Sequence, residues 1–140
     1  MKTSASYSAV LLMLLSVNTF AGEIKNQKLK IDYTVKAYID AVANGKLKGL
    51  DNVLDFEMRY SISHGESTVN YSRSEFLNSL KVAEHIQQNC AIGQQIISSD
   101  PSQCIVKITL KYDTFSKVNL ITLSNTSKGW KITNISSFYN

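Results

Sequence analysis

The chain has 140 residues, with 15 Lys and Arg against 11 Asp and Glu and a formal net charge of +4. That length suffices for one domain with a hydrophobic core and is short for two. Its basic residues are dispersed, so we expect no nucleic-acid partner, which would need a Lys/Arg cluster. The sequence has neither metal-ligand spacing nor a Gly-rich phosphate loop, so we expect no metal and no cofactor.

The first 21 residues have the layout of a secretory signal peptide. Lys2 gives a positive start, residues 9–17 are apolar, and residues 19–21 (Thr-Phe-Ala) place small residues where signal peptidase reads. The apolar run is too short to span a bilayer core of about 30 Å. We therefore predict cleavage after Ala21, a single mature domain of residues 22–140, and export, to the periplasm in the first place or to the extracellular medium.

The mature chain begins with helical patterns. Residues 29–44 place apolar side chains on one helical face, and Gly45 follows where a left-handed cap would end the helix. A short helical turn is predicted over 47–54.

A strand pair comes next. Residues 56–63 alternate in polarity, the turn 64–67 contains Gly65, and residues 68–71 form a short returning strand. The side chains predicted to point inward from the first strand are Phe56, Met58, Tyr60 and Ile62.

Ser72 and Glu75 then form a capping-box pattern that predicts the start of another helix. The side chains predicted to face inward from that helix are Phe76, Leu77, Leu80, Ala83 and Ile86.

The last third of the chain is predicted to form strands joined by short loops. The four strand-like runs are 91–98, 103–112, 117–124 and 129–139. Short loops between strands of this length predict an antiparallel meander.

The two cysteines, Cys90 and Cys104, are candidates for a disulfide in an exported chain. A hairpin turning at residues 99–102 would leave them roughly 23 Å apart. A disulfide needs Cα atoms within about 7 Å, so this pairing is disfavoured, although a bulge or a different turn would reverse the conclusion.

Helices followed by a long antiparallel sheet predict an α+β fold in which the helices cover one face of the sheet. Long strands in a twisted sheet curl, so the sheet and its helices should form a cone.

Three short motifs and this element order resemble the nuclear transport factor 2-like (ketosteroid isomerase-like, SnoaL-like) superfamily. The motifs are residues 35–41 followed by Gly45, residues 72–77, and residues 128–132. More narrowly, the chain is similar to small exported bacterial members labelled lumazine-binding. The resemblance implies a conical half-barrel of curved, mainly antiparallel sheet with about three N-terminal helices in its concave face, an internal pocket, and a homodimer through the outer sheet face. It implies no single activity.

His64 is the candidate for catalysis. Strict alternation places it on the face of Met58 and Tyr60, at the rim of a pocket, and a histidine can exchange protons near pH 7. The alternative is a solvated residue in a Gly-containing turn. Glu66 could pair with it or serve the same turn, and a helix-end role is favoured for Asp32 and His85.

The predicted ligand pocket combines inward aromatic residues with a few polar groups, as small-molecule sites do. Its candidate residues are Tyr38, Met58, Tyr60, Tyr112, Trp130 and Asn134, with Phe138 as a further inward aromatic residue. Packing in the core is the competing interpretation of the aromatic residues. Asn134, placed on the face of Trp130 and Ile132, must find a partner or a ligand, because a buried unpaired amide costs about 1 to 3 kcal/mol.

Three functions follow from these patterns. The favoured one is an exported pocket protein that binds a small apolar or aromatic molecule without catalysis. The first alternative is a proton-transfer enzyme of the isomerase, dehydratase or cyclase kind that uses His64, with Tyr60 or Tyr38 polarising an oxygen. The second is a dimeric interaction module whose outer face carries an apolar patch of Ile105, Ile121, Ile135 and Tyr139 among Lys107, Thr109 and Thr133.

Overall fold

The structure is a computed structural model that describes the backbone of residues 4–140 and the side chains of residues 22–140 except 24 and 29. The predicted signal peptide, residues 1–21, lies outside the described side chains and stays a prediction. In the part of the chain that is described, no helix is long and apolar enough to cross a membrane. The elements are α1 (Ser4–Asn44), α2 (Leu50–Val53), β1 (Leu54–His64), β2 (Ser67–Ser72), α3 (Arg73–Lys81), β3 (Ala91–Ser99), β4 (Gln103–Lys111), β5 (Ser116–Thr126) and β6 (Gly129–Tyr139).

Helix α1 begins well before the predicted residue 29. Residues 25–28 are mostly exposed Lys, Asn and Gln side chains, so hydrophobic periodicity gives no signal for them although Lys and Gln favour helix. The apolar face predicted further along is correct, because Ile31, Val35 and Tyr38 are buried. The chain leaves the helix at Gly45, whose φ of 65° is left-handed as predicted.

The six strands form one curved, open sheet in the order β2-β1-β6-β5-β4-β3. The predicted antiparallel meander of β3 to β6 is confirmed. The pairing of β1 with β6 is parallel, which the sequence did not indicate. Helix α1 contacts β4 and β6, while α3 contacts β1 and β2, so the helices cover the concave face and the predicted α+β class is confirmed.

Strand β1 departs from strict alternation. Phe56, predicted to point inward, is 87% exposed, whereas Leu54, Met58 and Tyr60 are buried. The pairing of β1 with β6 is irregular between Leu54 and Arg59, so the backbone at Phe56 does not follow the regular pleat.

A second irregularity reverses the facing of the end of β6. The register against β5 shifts between Thr122 and Leu123, so Thr133 is an extra residue opposite them. Trp130 and Ile132 are buried, and beyond the bulge the inward positions are Ile135 and Ser137. The predicted inward facing of Asn134 and Phe138 is therefore wrong, since a one-residue bulge moves every later side chain to the other face.

The predicted apolar patch on the outer face is also corrected. Ile121 pairs with Val106 and Ile135, and all three are fully buried against the helices. Tyr139 follows Ile135 and Ser137 on the inner face. Of the four predicted patch residues, Ile105 alone alternates with the buried positions of β4 and lies on the outer face.

Helix α3 starts as predicted and ends early. Both reciprocal hydrogen bonds of the capping box join Ser72 and Glu75. The helix stops at Lys81, so Ile86, predicted to face inward, lies beyond it and is 55% exposed. His85 follows the helix rather than ending it, with a left-handed φ of 65°.

The two cysteines are free and lie at opposite ends of the β3–β4 hairpin. Cys104 pairs with Ser99 beside the turn, whereas Cys90 precedes Ala91, which pairs with Lys111 at the far end.

Candidate functional site

A cavity of about 710 Å³ opens between the helices and one end of the sheet's concave face. We call it the central cavity. Helix α1 gives one wall, α3 and the segment after it give a second, and the ends of β1, β4, β5 and β6 form the floor. Its lining residues are Tyr38, Val42, Tyr60, Ile62, Tyr71, Glu75, Phe76, Asn78, Ser79, Leu80, Gln88, Leu110, Tyr112, Phe115, Lys117 and Tyr139.

The deep wall of the cavity is aromatic. The Tyr60 ring lies 4.8 Å from Phe76 and 5.7 Å from Tyr71, centroid to centroid. Burial raises the pKa of Tyr60, and burial together with the nearby Tyr60 raises the pKa of Tyr38. Both phenols are therefore neutral at physiological pH, where they act as hydrogen-bond donors and acceptors rather than as bases.

A line of aromatic rings forms the outer rim. The His64 ring stacks on Tyr139 at 5.0 Å, Phe115 lies 6.0 Å from Tyr139, and Phe115 stacks on Tyr112 at 4.6 Å. The Tyr112 hydroxyl donates to Gln88 Oε1 at 3.2 Å, which ties the rim to the segment after α3. His64 lies at the exposed end of this line and does not line the cavity.

Lys117 brings a positive charge between the rim and the deep wall. Its Nζ donates to the Tyr60 hydroxyl at 3.4 Å and lies 5.9 Å and 6.0 Å from the ring centroids of Tyr139 and Tyr60. These distances allow cation–π attraction to both rings. Among the described side chains, no carboxylate lies within 4.0 Å of this ammonium group.

Two buried polar side chains lie near Tyr60 in the core. The Ser137 side chain offsets part of the rise in the pKa of Tyr60, and its hydroxyl donates to Asn119 Oδ1 at 2.5 Å. Asn119 is 1% exposed, and its Nδ2 has no hydrogen-bond partner among the described residues. The described polar groups under the cavity are therefore joined in two pairs, Lys117 with Tyr60 and Ser137 with Asn119.

Glu75 is the single carboxylate among the described residues that line the cavity. Its Oε2 accepts from the Ser72 backbone N–H at 2.7 Å. That bond and the Ser72 hydroxyl hold the pKa of Glu75 below its usual range. The carboxylate is thus ionised and engaged in capping α3.

The predicted pocket residues divide into two groups. Tyr38, Tyr60 and Tyr112 line the central cavity, and Met58, Trp130 and Asn134 do not. Met58 and Trp130 are buried in the core.

Trp130 and Asn134 make other contacts. The Trp130 Nε1 donates to Gln27 Oε1 at 2.6 Å, and the Thr34 hydroxyl donates to the Trp130 carbonyl at 3.2 Å, so this residue joins β6 to α1. The Asn134 amide donates to Ser136 on the outer face.

Sequence reasoning missed Lys117 and Asn119. Both alternate with Ile121 and Leu123 along β5, so a period of two through the buried end of the strand would have placed them on the inner face. Their position over a cavity depends on which strands flank β5, and that information is not local.

Asp40 on α1 serves local structure. It accepts from Lys36 at 2.5 Å, and that bond chiefly lowers the pKa of Asp40. No group of three or more His, Cys, Asp or Glu residues in the described part of the chain is placed to hold a metal ion.

A curved six-stranded sheet that encloses a cavity against N-terminal helices is the NTF2-like fold, in its cystatin-like form, and comparison with solved structures agrees. An NTF2-like protein of unknown function from Silicibacter pomeroyi superposes with a TM-score of 0.67 at 12% identity, covering 84% of this chain and 98% of that one. An NTF2-like protein with a cystatin-like fold from Novosphingobium aromaticivorans gives 0.59 at 13% identity, covering 89% and 88%. A proposed dehydratase of the NTF2-like family from Streptomyces avermitilis gives 0.56 at 16% identity, covering 81% and 96%.

At these identities the likeness concerns the fold alone. No family sequence model matches this chain, and no curated protein sequence matches it. The predicted NTF2-like fold is confirmed, and the narrower likeness to lumazine-binding members stays a prediction.

Proposed function

We propose that this chain is an exported protein whose central cavity binds a small molecule with an aromatic or apolar body. The observation that carries the proposal is a cavity of about 710 Å³, within the size range of small-molecule sites, lined by Tyr38, Tyr60, Phe76 and Leu110. The signal-like residues 1–21 support export, to the periplasm in the first place.

Binding without proton transfer is favoured over catalysis by the state of the titratable groups. The phenols of Tyr38 and Tyr60 have raised pKa values, and the Glu75 carboxylate is engaged in the cap of α3. His64, the candidate general base, stacks on Tyr139 at the exposed rim. A general base needs hydrogen-bond reach to the proton that it removes, and this placement supports a rim role instead.

The test is native mass spectrometry of the protein purified from the compartment to which it is exported. Ser79 is an exposed residue that lines the cavity, so Ser79→Trp should obstruct the opening without removing core packing. Ser74→Trp is the matched control, because Ser74 lies on the same helix but does not line the cavity.

We expect a retained small-molecule mass on the wild type and on Ser74→Trp, and its loss from Ser79→Trp. Retention of the same mass by Ser79→Trp would show that the molecule binds elsewhere. A wild type that carries no mass and binds no aromatic probe would refute the proposal.

We also propose that two copies pair through the outer sheet face. With the bulge of β6 taken into account, the accessible apolar residues of that face are Ile105, Leu120 and Phe138, and Val118 between them is buried. A shared apolar face of this kind is self-complementary in a twofold dimer. Leu120→Asp should halve the mass measured by sedimentation, whereas Ser127→Asp in the β5–β6 turn should not. A wild type that sediments as a monomer at high concentration would contradict the proposal.

A further inference from the structure

Resting on the proposed function, we infer that the ligand of the central cavity is an amphipathic anion, a molecule with a carboxylate group and an aromatic or apolar body, and that Lys117 binds its carboxylate. The juxtaposition behind this inference is the Lys117 ammonium group, which has no carboxylate partner among the described side chains, beside an aromatic wall. Ligand pockets of this kind use a few placed polar groups to orient an otherwise apolar molecule.

The first observation is that Lys117 faces the inner side of the sheet. It alternates with Asn119 and Ile121 on the inner face of β5 and pairs with Tyr139 on one side and Leu110 on the other. A lysine that served only solubility would lie on the outer face, as Lys107 does opposite Leu120. Lys117 is half-buried and lines the central cavity, so its charge lies at the cavity rather than on the outer face.

The second observation is the number of N–H donors that the Lys117 ammonium group has left for a ligand. A lysine carries three N–H donors, and one of them bonds the Tyr60 hydroxyl at 3.4 Å. Two donors remain, and no described carboxylate lies within 4.0 Å to take them. Carboxylate oxygens accept such charge-assisted bonds strongly, which a neutral ligand cannot reproduce.

The third observation is that the Tyr60 hydroxyl, which bonds the Lys117 ammonium group, is held in place by packing of its ring. Tyr60 accepts from Lys117 and is itself packed between Phe76 and Tyr71. The ammonium position is therefore defined before a ligand enters, which lowers the entropic cost of binding.

The fourth observation concerns Glu75, a lining residue whose negative charge would repel an anionic ligand. Its Oε2 is bonded to the Ser72 backbone N–H at the start of α3, where the helix dipole offsets a carboxylate charge. Lys117 thus sets the charge preference at its end of the cavity. The apolar body of the ligand would then extend over Tyr38, Phe76 and Leu110.

The test compares two probes of nearly equal shape, 2-naphthoate and its neutral amide 2-naphthamide, by titration calorimetry at pH 7. On the wild type we expect naphthoate to bind about tenfold more tightly or better, the scale of a charge-assisted hydrogen bond. Lys117→Met should abolish that preference, because naphthoate affinity should fall much more than naphthamide affinity. Lys107→Met makes the same substitution on the outer face and should keep the preference.

The outcomes separate the two proposals. Equal affinity of the wild type for both probes, or a preference that survives Lys117→Met, would overturn the inference and leave the binding pocket standing. Failure of both probes to bind the wild type would refute the pocket itself and the inference with it. The comparison of the two probes on the wild type does not depend on the folding of any variant. If the inference is correct, added salt should weaken the binding of naphthoate and leave the binding of naphthamide unchanged.

Discussion

Replacing Gly45 by Ala tests how the end of α1 is joined to the segment after α3. Gly45 has a left-handed φ of 65°, and a Cβ built there would lie 2.7 Å from the Ala83 carbonyl oxygen and from the backbone nitrogens of His85 and Ile86. All three atoms belong to backbone, so no side chain can rotate away. The Gly45 carbonyl also accepts from His85 N–H at 2.9 Å.

The expected loss of unfolding free energy has two parts. A left-handed alanine costs roughly 1 to 2 kcal/mol relative to a right-handed one. Displacing the backbone also weakens the His85 to Gly45 hydrogen bond and its neighbour from Gln88 N–H to the Ala43 carbonyl, each worth about 1 kcal/mol. Gly45→Ala should therefore lose about 3 to 4 kcal/mol, a large part of a typical domain stability of about 5 to 15 kcal/mol.

Gly65→Ala is the matched control. Gly65 lies between β1 and β2 with a φ of 57° and no atom within 4 Å of a built Cβ, so its replacement carries the backbone strain without the contact. Urea unfolding followed by the fluorescence of Trp130, the single tryptophan, measures both variants. The effect of Gly→Ala on the unfolded chain is common to the two and cancels in their difference. Losses equal within about 0.5 kcal/mol would refute the reasoning, because the close backbone contact would then cost nothing.

Three further outcomes follow from the same structure. Ser72→Ala should lower the unfolding free energy by about 1 kcal/mol in urea titration, because it removes the side-chain half of the capping box, and an unchanged midpoint would contradict this role. Burial raises the pKa of Tyr60, so the stability that its neutral phenol contributes is present below the unfolded pKa of about 10 and is lost as pH rises through the folded pKa. Tyr60→Phe should therefore lose stability less steeply than the wild type in alkaline denaturation. Parallel curves of unfolding free energy against pH for the two proteins would contradict this prediction. His64→Ala should change the affinity of a cavity-binding probe by less than about twofold, as expected for an exposed rim residue, and a large loss of binding or of any detected turnover would return His64 to the site.

The parts of this fold that the sequence predicts are those determined by neighbours within a few residues. The capping box of Ser72 and Glu75, the left-handed cap at Gly45 and the alternation of β4 are local patterns, and the structure contains each of them. Tyr38, Tyr60 and Tyr112 could be proposed for a pocket because periodicity with their buried neighbours places them inward, and the irregularity in β1 ends before Tyr60.

The failures share a cause that is not local. The extra residue Thr133 in β6 depends on how that strand registers against β5, and it reversed the facing of Asn134 and Phe138. A role for the charge of Lys117 can be predicted only when β5 is known to lie between β4 and β6 at the cavity. Strand order and bulges come from tertiary pairing, which local propensity does not encode.

The position of β6 has a consequence for the order in which the fold can form. This strand follows every other strand in the chain, yet it lies between β1 and β5 and is the only element of the described sheet that joins the first hairpin to the meander. Until β6 has left the ribosome, the two halves of the sheet have no common edge, and closing it requires contacts of long sequence separation, which form slowly. The described sheet therefore stays in two parts until β6 arrives, and that strand alone closes it.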